Sequence, residues 1–169
     1  MTNPLKNTFL ELADFIERSS TRKDFAFDMG EWVKVVGDDN DITPPITEFV
    51  PHFCGTAACI AGSYALMKVP LEEALEDIGD IFIDKCKNAG MEYYVVRAIT
   101  EPDINIEYVE IKVESATYLL RTLAKMNIED INEDTVNDLW EKSIIKYGKR
   151  EPLECKKDRT SYDELEILL

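Results

Sequence analysis

The chain has 169 residues and a formal net charge of −15. Its hydrophobic content of 45% and aromatic content of 9% argue against global disorder and fit one domain with a real core. No apolar run approaches the roughly 20 residues needed to cross a bilayer, and so acidic a surface repels a phosphate backbone, so a membrane-spanning protein and a direct nucleic-acid binder are both disfavoured.

The first helix is signalled by Asn3 as cap and Pro4 at its first position. Leu5, Phe9, Leu12, Phe15 and Ile16 follow at helical spacing, and "SSTRKD" ends it. "FAFDMGEW" predicts a second, short helix. Asp28 and Glu31 form a capping-box variant, with Phe27 and Trp32 placed as a hydrophobic staple. "GDDNDITPPITEFVP" reads as a loop, because tandem prolines forbid a helix. Its acids do not make a calcium loop: Ile42 and Thr43 occupy the places of a ligand and a glycine, and Phe49 that of the bidentate Glu.

A third helix is predicted from near Thr56 to about Val69, entered through Gly55 and capped by Thr56. A fourth follows from Leu71, with Leu75, Ile78, Phe82 and Cys86 on one face and Gly90 as its stop. "MEYYVVRAI" and "INIEYVEIKV" are rich in β-branched and aromatic residues and predict a β-hairpin, with an amphipathic helix at 91–99 as the alternative. "ESATYLLRTLAKMN" returns to helix, with Leu119, Leu120 and Leu123 inward and Asn127 as its stop. Asn132 then caps a helix whose apolar face is Val136, Leu139, Trp140, Ile144 and Tyr147, with Ile131 and Val136 as staple partners. "GKREPLECKKDRT" reads as a charged linker, and Ser161 with Glu164 predicts a short final helix.

The expected fold is therefore mainly α. A single compact helical domain over 1–150 carries a small β-hairpin near 91–113, followed by the linker and short helix of 151–169; an α+β arrangement is the alternative. The N-terminal "MTNPLKNTFLELADF" lacks the basic region and apolar block of a signal peptide, which leads to an expectation of a cytoplasmic protein with its four cysteines as thiols.

"PHFCGTAACIAGSYALM" holds the one histidine and two of the cysteines. His52, Cys54 and Cys59 fall short of the paired four-ligand spacing of a zinc site, so no metal is expected. Cys54 at a helix start beside His52 is the arrangement of an activated thiol, yet no phosphate loop, G-x-S-x-G or H-E-x-x-H accompanies it. His52, Cys54, Thr56 and Trp32 remain the candidate lining of a small-ligand pocket or thiol site. The competing reading is packing. Ala58, Gly62 and Ala65 share one helical face flanked by Ala61, a stripe that admits a close neighbour, and Cys59 is then a small buried hydrophobe.

In "FDMGEW" followed by "CGTAACIAG", the residues Phe27, Met29, Trp32, Cys54, Gly55, Thr56, Cys59 and Gly62 form an F-x-M-x-x-W element and a C-G-T-x-x-C-x-x-G helix. In this the chain resembles a family of small bacterial and phage proteins of unknown function; "ATYLLRTLAKM" is similar to that family's later helix. The resemblance implies a bacterial or phage origin and no activity.

Carboxylates form two groups on predicted helices. Glu73, Glu76 and Asp80 lie on the fourth, and Glu133, Asp134 and Asp138 lie near the last of the domain. They are the candidate interaction residues. The function expected from the sequence is a non-enzymatic binding protein with a basic protein partner, encoded by a phage or mobile element and inhibiting a host factor. An acidic mimic of nucleic acid and a small-ligand binder or thiol enzyme are the alternatives. No cofactor is expected, and the sequence sets no oligomeric state.

Overall fold

The computed structural model describes residues 3–22, 25–27, 29, 33–35, 56–70, 80–103 and 111–149. The described part is mainly α. Its helices are α1 (Lys6–Ser19), α2 (Ile60–Lys68), α3 (Asp80–Asn88), α4 (Tyr93–Thr100), α5 (Val113–Leu123) and α6 (Glu133–Tyr147). Three short strands accompany them: β1 (Phe25–Phe27), β2 (Val33–Val35) and β3 (Thr56–Ala58).

α1 begins at Lys6 with Leu5 at the cap position, two residues later than the predicted start at Pro4, because the Asn3 side chain binds the next turn residue and not a helix amide. The Asn3 side chain accepts from the Leu5 amide at 2.9 Å, and its NH2 donates to the Leu123 carbonyl at the end of α5 at 2.8 Å. Phe9, Leu12 and Ile16 are fully buried along one face of α1. That face meets α5 and α2. α5 brings Leu119, Leu120 and Leu123 inward, as expected, and packs in turn on α6. α3 lies against α2 and α4, and α4 packs on α6. The buried apolar side chains of all six helices join in one cluster with Phe27 and Met29.

Two glycines end helices. Gly90 takes φ +91°, and the Met91 amide reaches back to the Cys86 carbonyl at 3.1 Å. A left-handed residue just past α3 is what the helix needs to satisfy its last carbonyls. Gly148, at φ +73°, closes α6 and donates to the Ile144 carbonyl at 2.7 Å.

The structure corrects three further expectations. Residues 25–27 of "FAFDMGEW" are strand, not helix; Asp28, Glu31 and Trp32 lie outside the described residues. The helix predicted from Thr56 starts only at Ile60, because Thr56–Ala58 is the central strand of the sheet β1-β3-β2. β1 runs parallel to β3, with Phe25 opposite Thr56, and β2 runs antiparallel to it, with Val35 opposite Thr56. Pairing to both neighbours satisfies backbone groups of β3 that a helix would otherwise satisfy internally. Lastly, the first arm of the predicted hairpin is α4, the helical alternative. Met91, Val95, Val96 and Ile99 are buried while Glu92, Tyr93, Tyr94 and Arg97 face solvent, a 3.6-residue pattern that packing rewards over local β propensity. Residues 104–110, most of the second arm, lie outside the described residues, as do the 36–50 loop, residues 71–79 of the fourth predicted helix and the linker and helix expected beyond 150.

Candidate interaction face

His52, Cys54 and Trp32 lie outside the described residues, and Thr56 lies in β3. Cys59 replaces Thr56 as the cap. It joins β3 to α2, and its Sγ accepts from the Gly62 amide at 3.5 Å. A helix N-terminus ordinarily lowers a thiol pKa. Here burial outweighs the amide contacts and pushes the Cys59 thiol up to about 11. Burial likewise pushes Cys86 up to about 12. Both sulfurs are therefore neutral thiols in the core, the small-hydrophobe role expected of Cys59. Ala61, Gly62 and Ala65 are buried on α2 beside them, but Ala58, the first member of the predicted small-residue stripe, belongs to β3. Among the described residues no group of three or more His, Cys, Asp or Glu side chains is placed to hold a metal ion, and no helix is long and apolar enough to cross a membrane.

An open groove of about 410 Å³ lies between α1 and α2, lined by Glu11, Asp14, Glu17, Arg18, Met67 and Lys68. Its carboxylates are largely committed within the protein. Arg121 of α5 forks onto Glu17 at 2.7 and 2.9 Å and reaches Asp14 at 2.9 Å, and Lys68 meets Glu11 at 3.4 Å. The Arg121 guanidinium holds the Glu17 carboxyl below its ordinary value, and the two carboxylates raise Arg121 in return.

The predicted carboxylate groups separate. Glu73 and Glu76 lie outside the described residues, and Asp80 opens α3. Glu133, Asp134 and Asp138 are exposed on the first half of α6, preceded by the 3-10 turn Ile128–Asp130. Asn132 caps the helix as its sequence predicts, its Oδ1 accepting from the Thr135 amide at 3.0 Å. No basic residue falls between Lys125 and Lys142, whereas Lys142, Lys146 and Lys149 follow. Acids at the start and bases at the end complement the helix dipole and explain part of this sorting. Asp138 is taken up by Lys142 one turn on. The described residues carry acidic and basic side chains in nearly equal number, so most of the −15 charge lies on residues outside them. The start of α6 is a local acidic end on an otherwise balanced framework.

The packing of α4 on α6 adds a feature that the sequence reading missed. Tyr93 and Tyr94 at the start of α4 are 57% and 47% exposed. The Tyr94 phenol is raised by its interaction with the Glu92 carboxylate first, and Glu133 adds to the effect from α6. Two exposed tyrosines thus open α4, and the second of them feels the carboxylates of Glu92 and Glu133. The signal was present in "MEYYVV", but a strand reading would alternate these rings between faces, whereas a helix sets both outside.

No protein-family model, curated protein or solved structure matches this chain.

Proposed function

We propose that the chain is a non-enzymatic interaction protein that binds a basic protein partner through the start of α6. The observation that carries this reading is the exposed run Glu133–Asp134 at a helix N-terminus, with no basic residue in sequence between Lys125 and Lys142. Carboxylates there are stabilised by the dipole whether or not a partner is bound, so the face is preformed and association costs little reordering. Complementary charge steers such an encounter and makes its rate depend on ionic strength. The resemblance to small bacterial and phage proteins puts a host factor first among the partners of this reading.

The test compares wild type with the Glu133→Gln/Asp134→Asn variant as immobilised baits in a lysate of the source organism, with stepwise salt elution. A protein retained by wild type, lost from the variant and released by moderate salt is the expected result. Equal retention by both baits, or retention indifferent to salt, overturns the proposal. Competition by duplex DNA for the retained protein would instead favour the nucleic-acid mimic.

A further inference from the structure

α6 and its flanks sort their charges by sign. After Lys125 the chain carries Glu129, Asp130, Glu133, Asp134, Asp138 and Glu141 with no base among them, then Lys142, Lys146, Lys149 and Arg150 with no acid among them. The helix dipole acts within the first and last turns, whereas Asp138, Glu141 and Lys142 stand in the middle of the helix. Val136, Leu139, Trp140 and Ser143 turn inward, so the outward stripe is Asp134, Asp138, Glu141 with Lys142, and Ile145, and exposed Lys149 follows just past the helix end. Lys146 turns aside over the rings of Tyr118 and Tyr147, and Lys112 is held on the Tyr147 carbonyl, so both stand off the stripe. Ile145 is 84% exposed, more than any other large apolar side chain among the described residues. A lone exposed isoleucine is ordinary on a surface. This one stands one turn past the last acid of a stripe whose two halves carry opposite charge.

We infer that this stripe is a contact between two copies of the chain, the second half of α6 lying antiparallel against its own counterpart across a two-fold axis. Such an axis presents one patch twice, so the patch must complement itself. Opposite helix directions achieve this. With the axis between Lys142 and Ile145, Asp138 of one copy comes level with Lys149 of the second, and Ile145 meets the second copy's Ile145 and the apolar stem of its Lys142. A parallel pair would set acid against acid. Asp138 already meets Lys142 of its own helix, but a carboxylate has room for a second donor and an exposed pair of this kind holds it weakly. The two Glu141 carboxylates flank the axis as like charges and limit the strength of the contact. About three turns of one helix cover less than the roughly 1,200 Å² of a stable interface, so the pairing is reversible. Glu133 and Asp134 lie beyond its end, so the inference does not depend on the partner proposed above.

The test is sedimentation equilibrium of the full chain at low salt from about 10 µM to about 1 mM, the range in which so small an interface associates. Wild type is compared with Ile145→Lys, with Asp138→Lys/Glu141→Lys, with Lys142→Glu/Lys149→Glu, and with an equimolar mixture of the two charge variants. All of these positions are exposed, and melting curves close to wild type confirm that each variant folds. The mean mass of wild type should rise toward that of a dimer with concentration and fall back in high salt. Each variant alone should stay monomeric. The mixture should associate again, because a basic stripe then meets an acidic one at both ends. Wild type that stays monomeric throughout overturns the inference. So does association of Ile145→Lys, or of either charge variant alone, to the wild-type extent, and so does a mixture that remains monomeric.

Discussion

The indole N–H of Trp140 donates to the backbone carbonyl of Ala98 at 3.0 Å, in the fully buried contact between α6 and α4. In a continuing helix that carbonyl would take the amide of residue 102. Residue 102 is proline and has no N–H to give. Trp140 therefore supplies from another helix the donor that the local sequence withholds, and the bond fixes how the two helices sit on each other. The packing of α4 on α6 also brings Tyr94 within electrostatic reach of Glu133.

Trp140→Phe keeps an aromatic ring in the core but leaves the Ala98 carbonyl buried without this donor. The combined loss of volume and hydrogen bond should cost about 2–3 kcal/mol. Urea denaturation should show a lower midpoint with an unchanged slope. Adding Pro102→Ala offers the carbonyl a backbone amide, so a double-mutant cycle should return a favourable coupling between positions 102 and 140. Purely additive effects would mean that the proline plays no part.

Asn3 makes two bonds with opposite polarity, accepting from Leu5 and donating to Leu123. Asn3→Ala removes both and should cost about 1–2 kcal/mol. Asn3→Asp keeps the acceptor for the Leu5 amide. It nonetheless sets a carboxylate oxygen against a carbonyl oxygen, so it should destabilise at least as much as alanine. An aspartate variant as stable as wild type, measured by thermal melting near neutral pH, would show that the tie between α1 and α5 adds nothing.

What the sequence made legible was local. The Asn132 cap, the burial of Ile131 and Val136, the stop at Gly90 and the inward face of α5 each follow from residues within one or two helical turns. What it hid was long-range. A three-residue strand such as Thr56–Ala58 is too short to show a period, and its strand state depends on Phe25–Phe27 and Val33–Val35, more than twenty residues away. α4 was hidden differently: its valines, isoleucine and tyrosines favour strands locally, and only the burial of Val95, Val96 and Ile99 on one face decides for helix. The candidate face was half legible. Glu133 and Asp134 are visible in the sequence as charges, but that Tyr94 feels Glu133 follows only from the packing of α4 on α6.

The two buried thiols should be chemically silent. With the Cys59 pKa pushed up to about 11 and that of Cys86 to about 12, almost no thiolate exists near pH 8, and the core shields both sulfurs. Iodoacetamide at pH 8 should leave both unmodified in the native protein and alkylate both in urea, as read by peptide mass mapping. Rapid native alkylation of Cys59 would contradict its place beneath the start of α2.

The Arg121 fork gives a pH signature with a definite sign. Its partners lie on α1, and the Glu17 carboxyl is held below its ordinary 4.5, chiefly by the hydrogen bond from Arg121. A carboxyl depressed in the folded state binds its proton more readily when unfolded, so its contribution is complete above the unfolded value. That contribution fades as pH falls below about 4.5 through the lower folded value. All three side chains are more than one-third exposed, so solvent screening limits the pairs to about 1 kcal/mol in total at low salt. Arg121→Met keeps the apolar stem and should lower stability at pH 7 by up to that amount. The gap from wild type should shrink below pH 4 and in 1 M sodium chloride, where the Debye length is about 3 Å. Chemical denaturation by urea at pH 7 and pH 3, with and without salt, measures it. A gap that stays constant across all four conditions would assign the effect of Arg121 to packing of its stem and not to the ion pairs.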